Sequence, residues 1–191
     1  MGEQRVVLID SDAAWRKNVK AILSKMGYWV IGEAEDGLTG LKLVRAREPD
    51  LVIVEAFLAG MDGFELARII YEDKLAPVIL IGASTQQNAI EKAKKAKVFA
   101  FLVKPELEYN LIPAVELALT NYQERVKLEG QVQELQNTLE TRKVVERAKG
   151  ILMKTMAISE NEAFKRIQKQ SMNKRISMRA VAEAIILAHN V

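Results

Sequence analysis

Five short runs of apolar and β-branched residues, each followed by a helical pattern, constrain the fold of this chain more than any other feature. They are Val6 to Ile9, Trp29 to Ile31, Leu51 to Val54, Val78 to Ile81 and Phe99 to Val103. Between and after them, Ala13 to Met26, Gly37 to Arg47, Gly63 to Tyr71 and Gln87 to Lys95 carry a helical period. Strands alternating with helices predict an α/β fold, a doubly wound five-stranded parallel sheet. The runs at Val6, Leu51 and Val78 are apolar at nearly every position, as strands covered on both faces should be. Polar residues stand where strands end, at Asp10, Glu55 and Lys104. Ligands of such sheets bind beyond the carboxyl ends of the strands, so these three residues mark the default site.

Beyond about residue 120 the pattern changes to helix alone. Leu128, Val132, Leu135 and Leu139 recur at spacings of four, three and four, the seam of a coiled coil, within a helical stretch from Leu128 to Leu152. The seam fits a dimer, or a single apolar stripe packed on its own chain; self-association is the reading carried forward. Leu111, Val115, Ala118 and Leu119 give the α/β part a last helix, with Pro113 placed in its first turn. Nothing from Ala114 to Lys149 breaks a helix except Gly130, at a cost of about 1 kcal/mol relative to Ala. The last α/β helix is therefore expected to run into the coiled coil without a flexible linker. Ser159 with Glu162 three residues on forms a capping box, and Ser177 can cap a final helix from Met178 to Ala188. Ala163, Phe164, Ile167 and Ser171 on one helix, and Val181, Ile185 and Ala188 on the next, are assigned to the core of a small three-helix unit. The expected division is 1–120, a coiled-coil linker helix at 121–141, and 142–191.

Composition removes much of hydrolytic chemistry. The 191 residues contain no Cys and a single His, so thiolate metal sites, disulfides and cysteine nucleophiles are excluded and a histidine cluster within one chain is implausible. No run approaches a membrane span, and the first residues lack a signal peptide's apolar region, so a cytoplasmic protein is expected. The net charge of +3 conceals an asymmetry: from Glu140 onward there are 11 Lys and Arg against 5 Asp and Glu. The basic half is the candidate for a polyanionic partner, and a solvated helical surface is the bland alternative.

The segments VVLIDSD, DLVIVEAFLAGMDG and FAFLVKP resemble the response-regulator receiver domain over about residues 4 to 120. The resemblance implies the flavodoxin-like form of the sheet, two acidic residues holding magnesium, an aspartate accepting phosphate, a Ser or Thr after the fourth strand and a Lys-Pro after the fifth. Asp10 keeps the first acidic place and Lys104 with Pro105 is retained. Ser11 stands at the second acidic place, Glu55 at the phosphoacceptor and Gly82 at the hydroxyl. Phe101 falls at the aromatic switch position, and Ala59 stands where the family usually has Pro. Phosphoryl transfer to a carboxylate needs the metal and the hydroxyl. Their loss leaves at best a weakened magnesium site at Asp10 and Glu55, and conventional phosphorylation is not expected. Glu55 either mimics the phosphorylated residue, with one charge against about −1.5 to −2 for a phosphate, or forms a structural ion pair with Lys104. The ion pair is preferred. The signal then comes from a sensor kinase or other regulatory partner protein, from a small ligand, or from abundance.

At VVERAKGIL, ISENEAFKRIQKQSMNKR and ISMRAVAEAI the chain resembles the ANTAR domain over about Glu140 to Leu187. The resemblance implies a dimer that binds a pair of RNA hairpins in a nascent leader transcript and favours transcription past a terminator, with no catalytic activity. On the residues themselves, Lys143, Arg147 and Lys154 share a helix face. Lys149 is flanked by small residues, among them Gly150, that let a base approach. Lys174 and Arg175, expected in a turn, suit phosphates, and with Phe164 assigned to the core any stacking on a base falls to the guanidinium planes of Arg147, Arg166 or Arg175. Two other readings stay open: a DNA-binding response regulator, although the last helix offers only Arg179 and His189 to bases, and a protein-binding scaffold with a basic tail.

Overall fold

The computed structural model describes residues 4–82, 88–104 and 107–189, the side chains of 107 and 108 excepted. Pro105 and Gln87 lie outside the described residues. The order of elements is β1 (Arg5–Ile9), α1 (Ala13–Lys25), β2 (Trp29–Ala34), α2 (Gly37–Arg47), β3 (Leu51–Glu55), α3 (Gly63–Glu72), β4 (Val78–Gly82), α4 (Ala89–Lys95), β5 (Ala100–Val103), α5 (Leu107–Met156), α6 (Glu160–Lys174) and α7 (Met178–His189). The chain forms two compact units, Met1–Arg125 and Val126–Val191.

In the first unit the strands pair in parallel in the order β2-β1-β3-β4-β5. Side chains alternate across each strand, so one sheet serves two cores. Val7, Ile9, Val52, Val54, Val78 and Leu80 face one core, closed by Leu41 and Val44 of α2, Leu66 and Ile70 of α3 and Ala93 of α4. Val6, Leu8, Leu51, Ile53, Ile79 and Ile81 face the other, closed by Val19 and Leu23 of α1 and Leu111, Val115 and Ala118 of α5. Apart from Arg5 at the start of β1 and Glu55 at the end of β3, the central strands β1, β3 and β4 are apolar because both faces are covered.

Aspartates start three of the helices. Asp12 accepts from the backbone of Ala14 and Trp15, Asp36 from Thr39 and Asp62 from Glu65. Each satisfies amides that the first helical turn leaves without partners. Gly63, the first residue of α3, sits so close to the end of β3 that a Cβ there would lie 2.0 Å from the Glu55 carbonyl oxygen. Only glycine lets the helix start that near the strand.

Helix α5 is continuous for 50 residues and contains Pro113. This corrects the placement of Pro113 in a first turn: it is the seventh helical residue. Its missing N–H forfeits the bond to the Tyr109 carbonyl, but Tyr109 is exposed, so water can satisfy that oxygen. In the second unit Val145 and Ala148 of α5, Ile167 of α6, and Val181 and Ala182 of α7 make a small core. The capping box at Ser159 and Glu162 is formed. Ser177 Oγ accepts from Ala180 N at 3.1 Å.

Phe164 does not join this core. It is 39% exposed while Ala163 and Ile167 on the same helix are fully buried, which corrects its assignment to the interior. One residue advances a helix by about 100°, so a neighbour of buried Ala163 on a narrow apolar stripe is carried out of it. Ala188 is also exposed, and Ser171 is only partly covered.

Candidate functional site

Parallel strands deliver their last residues to one edge of the sheet, and here β1, β3 and the turn after β5 bring Asp10, Ser11, Glu55 and Lys104 together. Glu55 is held by three donors. Lys104 Nζ lies 2.7 Å from Oε1, while Ser11 donates to Oε2 through its backbone N at 3.0 Å and its Oγ at 2.6 Å. Asp10 is fully buried; its Oδ1 accepts from Asp12 N at 2.8 Å, and its Oδ2 meets the Lys104 ammonium as an ion-pair contact at 3.2 Å. Asp12 is turned away to cap α1. The Lys104 ammonium also stands 5.3 Å from the centre of the Trp15 ring, a cation–π contact.

The electrostatics follow from burial and partners. Burial pushes the Asp10 carboxyl up, and the charge of Glu55 adds to this. Burial also acts to raise Glu55, but the hydrogen bonds from Lys104 and Ser11 together outweigh it and hold its carboxyl below the ordinary value. Burial likewise pulls Lys104 down, and its bonds to Glu55 and Asp10 overcome that and raise it. Glu55 and Lys104 therefore stay charged at neutral pH.

This donor set does not fit magnesium. The ion takes octahedral oxygen ligands, usually one or two carboxylates with waters. Here the second carboxylate has become a hydroxyl that donates to Glu55, and an ammonium already bridges Glu55 and Asp10. No group of three or more acidic, His or Cys side chains that could hold a metal occurs among the described residues.

Gly82 ends β4 beside this cluster. A Cβ there would meet Phe101 Cζ at 2.9 Å, so the aromatic ring occupies the room that a hydroxyl side chain would need. Phe101 stacks on Phe64 at 6.4 Å between centroids, and Phe64 meets Phe57 edge-on at 5.5 Å.

In the second unit the candidate RNA residues divide. Lys143, Arg147, Arg166, Lys174 and Arg175 are exposed, and Gly150 is half-buried. Lys174 is the last residue of α6 rather than a turn residue, and Arg175 caps the helix with a φ of 53°. Arg166 and Lys174 flank an apolar groove lined by Leu152, Ile167, Ile176 and Ile185. Lys149 is different. It is 6% exposed, and its ammonium bonds Glu146 at 2.8 Å and Glu160 at 2.7 Å. Glu146 foremost, then Glu160, raise its pKa. The expectation of an open contact at Lys149 is corrected accordingly: two carboxylates already hold it. Arg179 is similarly paired, with Glu183 at 2.8 Å and Glu140 at 3.3 Å.

Sequence reasoning missed Ser11 as a donor, Trp15 beside Lys104, Glu160 as a partner of Lys149, and the exposure of Phe164. The three-residue spacing of Glu146 and Lys149 was a readable signal for one of those pairings. Nothing local in the sequence announced Glu160, which comes from another helix.

Comparison with known proteins covers both units. The model for the response regulator receiver domain matches residues 6–116, and the ANTAR domain model matches residues 133–186. Transcriptional regulatory protein PdtaR of Mycobacterium tuberculosis is 39% identical over 183 residues, spanning 96% of this chain and 89% of that protein. Chemotaxis protein CheY-3 of Vibrio cholerae is 32% identical over 104 residues, spanning 53% of this chain and 80% of its own. The signal receiver domain of NarL from Mycobacterium tuberculosis superposes with a TM-score of 0.59 at 29% identity, over 63% of this chain and 98% of that one.

Proposed function

The chain belongs to the response regulators that join a receiver domain to a C-terminal ANTAR domain, and from that premise we propose that it is a transcription antitermination regulator that binds paired hairpins in nascent leader RNA as a homodimer. The observation that carries this reading is the exposed basic set of the ANTAR-matched segment, Lys143, Arg147, Arg166, Lys174 and Arg175, in the half of the chain that holds the excess of positive charge. Phosphate contacts of this kind supply affinity, and unpaired loop bases supply specificity. The protein acts by binding and carries out no catalysis. No helix among the described residues is long and apolar enough to cross a membrane, in keeping with action on transcripts in the cytoplasm.

Dimerisation is assigned to α5. Leu128, Val132, Leu135 and Leu139 are 53% to 64% exposed, and their heptad spacing is that of a coiled-coil seam. A second copy of the same helix is the occupant that fits this register.

The receiver is read as a pseudo-receiver. A receiver domain ordinarily implies a sensor kinase, but Ser11 and Lys104 already occupy the Glu55 carboxylate and Phe101 fills the space over Gly82. Its regulation then runs through a docking protein, a small ligand or its own abundance rather than through phosphate.

The test of RNA recognition is a gel-shift titration with a tandem-hairpin RNA, the same RNA with one loop scrambled, and a duplex DNA of equal charge. The intact RNA should bind most tightly, and Arg147→Ala should weaken it by about 1–3 kcal/mol. Equal binding of all three would leave only an electrostatic surface.

A further inference from the structure

From Glu140 onward the chain has five acidic residues, and each is already engaged. Glu146 and Glu160 hold Lys149, Glu140 and Glu183 hold Arg179, and Glu162 closes the capping box with Ser159. Arg166 and Lys174 of α6 are left exposed, with no carboxylate partner among the described residues. Counter-charge for these two cations has to come from outside the unit.

The same two cations flank an apolar groove of 290 Å³ between α6 and α7, which Leu152 of α5 also lines. Its walls are two helical stripes. Arg166, Ile167, Gln170 and Lys174 face it from α6, and Val181, Ala184, Ile185 and Ala188 face it from α7, both at steps of three and four residues. From Val181 to Ala188 the groove runs for about two turns, or about 10 Å. Ala184 and Ala188 are exposed and short, so the α7 wall is low and a second backbone can come close. Ile176, 43% exposed, leaves apolar surface open to water in the same groove.

These features select among occupants. The volume falls just short of the about 300–1,000 Å³ of small-molecule pockets. An RNA backbone would meet the cations but leave the apolar lining uncovered. A second copy of α6 or α7 would set Lys169, Lys174 or Arg179 against Arg166 and Lys174, with its own carboxylates already engaged. An amphipathic helix with an acidic flank satisfies both halves of the groove. Its apolar side chains at i, i+4 and i+7 enter between α6 and α7. Carboxylates about seven or eight residues apart on its flank match Arg166 and Lys174, which are about 12 Å apart along α6.

We propose that this groove docks an acidic amphipathic helix of another protein, and that this helix and RNA exclude one another because both take Arg166 and Lys174. Docking stands on the groove alone; the exclusion rests on the RNA-binding function proposed above. A partner protein thereby controls a regulator whose receiver takes no phosphate.

The test uses the full-length protein. A displayed library of helical peptides about five turns long is enriched on it, and the peptides obtained are titrated by fluorescence anisotropy. They should carry apolar residues at i, i+4 and i+7 flanked by Asp or Glu. Ala184→Glu, at an exposed helix position, puts a charge into the groove and should weaken them by at least about tenfold. Replacing Arg166 and Lys174 together by Ala should weaken them by about 2- to 30-fold, as two exposed ion pairs would. Unchanged thermal unfolding of both variants separates lost docking from lost folding. A tandem-hairpin RNA, enriched on the protein from a library randomised in both loops, should be released as the peptide saturates. Enrichment of no peptide, of peptides without an acidic bias, or of peptides that bind Ala184→Glu as tightly as wild type would overturn the docking site. Peptides that bind only a Leu135→Lys variant, which carries a charge in the coiled-coil seam, would overturn it in favour of a second copy. Loss of RNA affinity rather than peptide affinity in Ala184→Glu would give the groove to RNA. Peptide and RNA bound together would overturn the exclusion alone. Enrichment of no RNA would overturn the antiterminator reading and leave the docking result standing.

Discussion

At Glu55 three donors, Lys104 Nζ, Ser11 N and Ser11 Oγ, converge on one carboxylate. Glu55→Gln removes a charge from that arrangement and leaves Lys104, partly buried, facing Asp10. The expected loss is about 1–3 kcal/mol of receiver stability, read by urea unfolding with tryptophan fluorescence, since both tryptophans, Trp15 and Trp29, lie in the first unit. The pH dependence has a definite sign. A carboxyl held below its ordinary value contributes stability at pH above that value and loses it as pH falls through the lower, folded one. Wild type should therefore weaken at pH below about 4, while Glu55→Gln lacks that part of the decline. Asp10 runs the other way: burial disfavours its charge, so its protonation on acidification relieves a cost. Wild-type protein should take no label from acetyl phosphate and magnesium, whereas a variant with Ser11→Asp, Glu55→Asp and Gly82→Thr, and with Phe101→Ala to clear the space beside position 82, should. Labelling of wild type at Glu55 would contradict the pseudo-receiver reading. The positions of this cluster were legible in the sequence because parallel strands must end together. That Ser11 bonds Glu55 was not, because both partners come from different strands and the pairing is a matter of distance.

Helix α5 carries residues of both units. Gly130 lies within α5, and a Cβ there would meet nothing within 4 Å. Gly130→Ala should consequently stabilise the helix by up to about 1 kcal/mol, a gain measurable as a higher unfolding temperature of the second unit by circular dichroism. Leu135→Lys places a charge in the seam, and sedimentation velocity should show the monomer in place of the dimer. A dimer that survives this substitution would send the seam back to the reading of a stripe packed on its own chain. Strand and helix order were legible from periodicity, and even the continuity of α5 was, since no strong breaker follows Pro113. The place of Pro113 was misjudged because a helix tolerates an interior proline where the orphaned carbonyl reaches water. Phe164 was misjudged for a related reason: an apolar residue next to a buried one reads as core until the width of the stripe is known.

For the whole molecule, the proposed function has the exposed cations of the ANTAR-matched segment meeting RNA phosphates while the receiver takes no phosphate. Affinity should fall with salt at a log–log slope near −0.7 for each phosphate neutralised on single-stranded regions. Lys143→Ala or Arg147→Ala should make that slope shallower by about 0.7 each. The measurement that bears most directly on the central claim is single-round transcription through a terminator that overlaps an enriched tandem-hairpin leader, with and without the protein, in the absence of any phosphodonor. The account predicts that readthrough rises with protein concentration, that scrambling either loop abolishes the rise, and that acetyl phosphate adds nothing. Termination that is indifferent to the protein, or relieved only after phosphodonor is supplied, would contradict it.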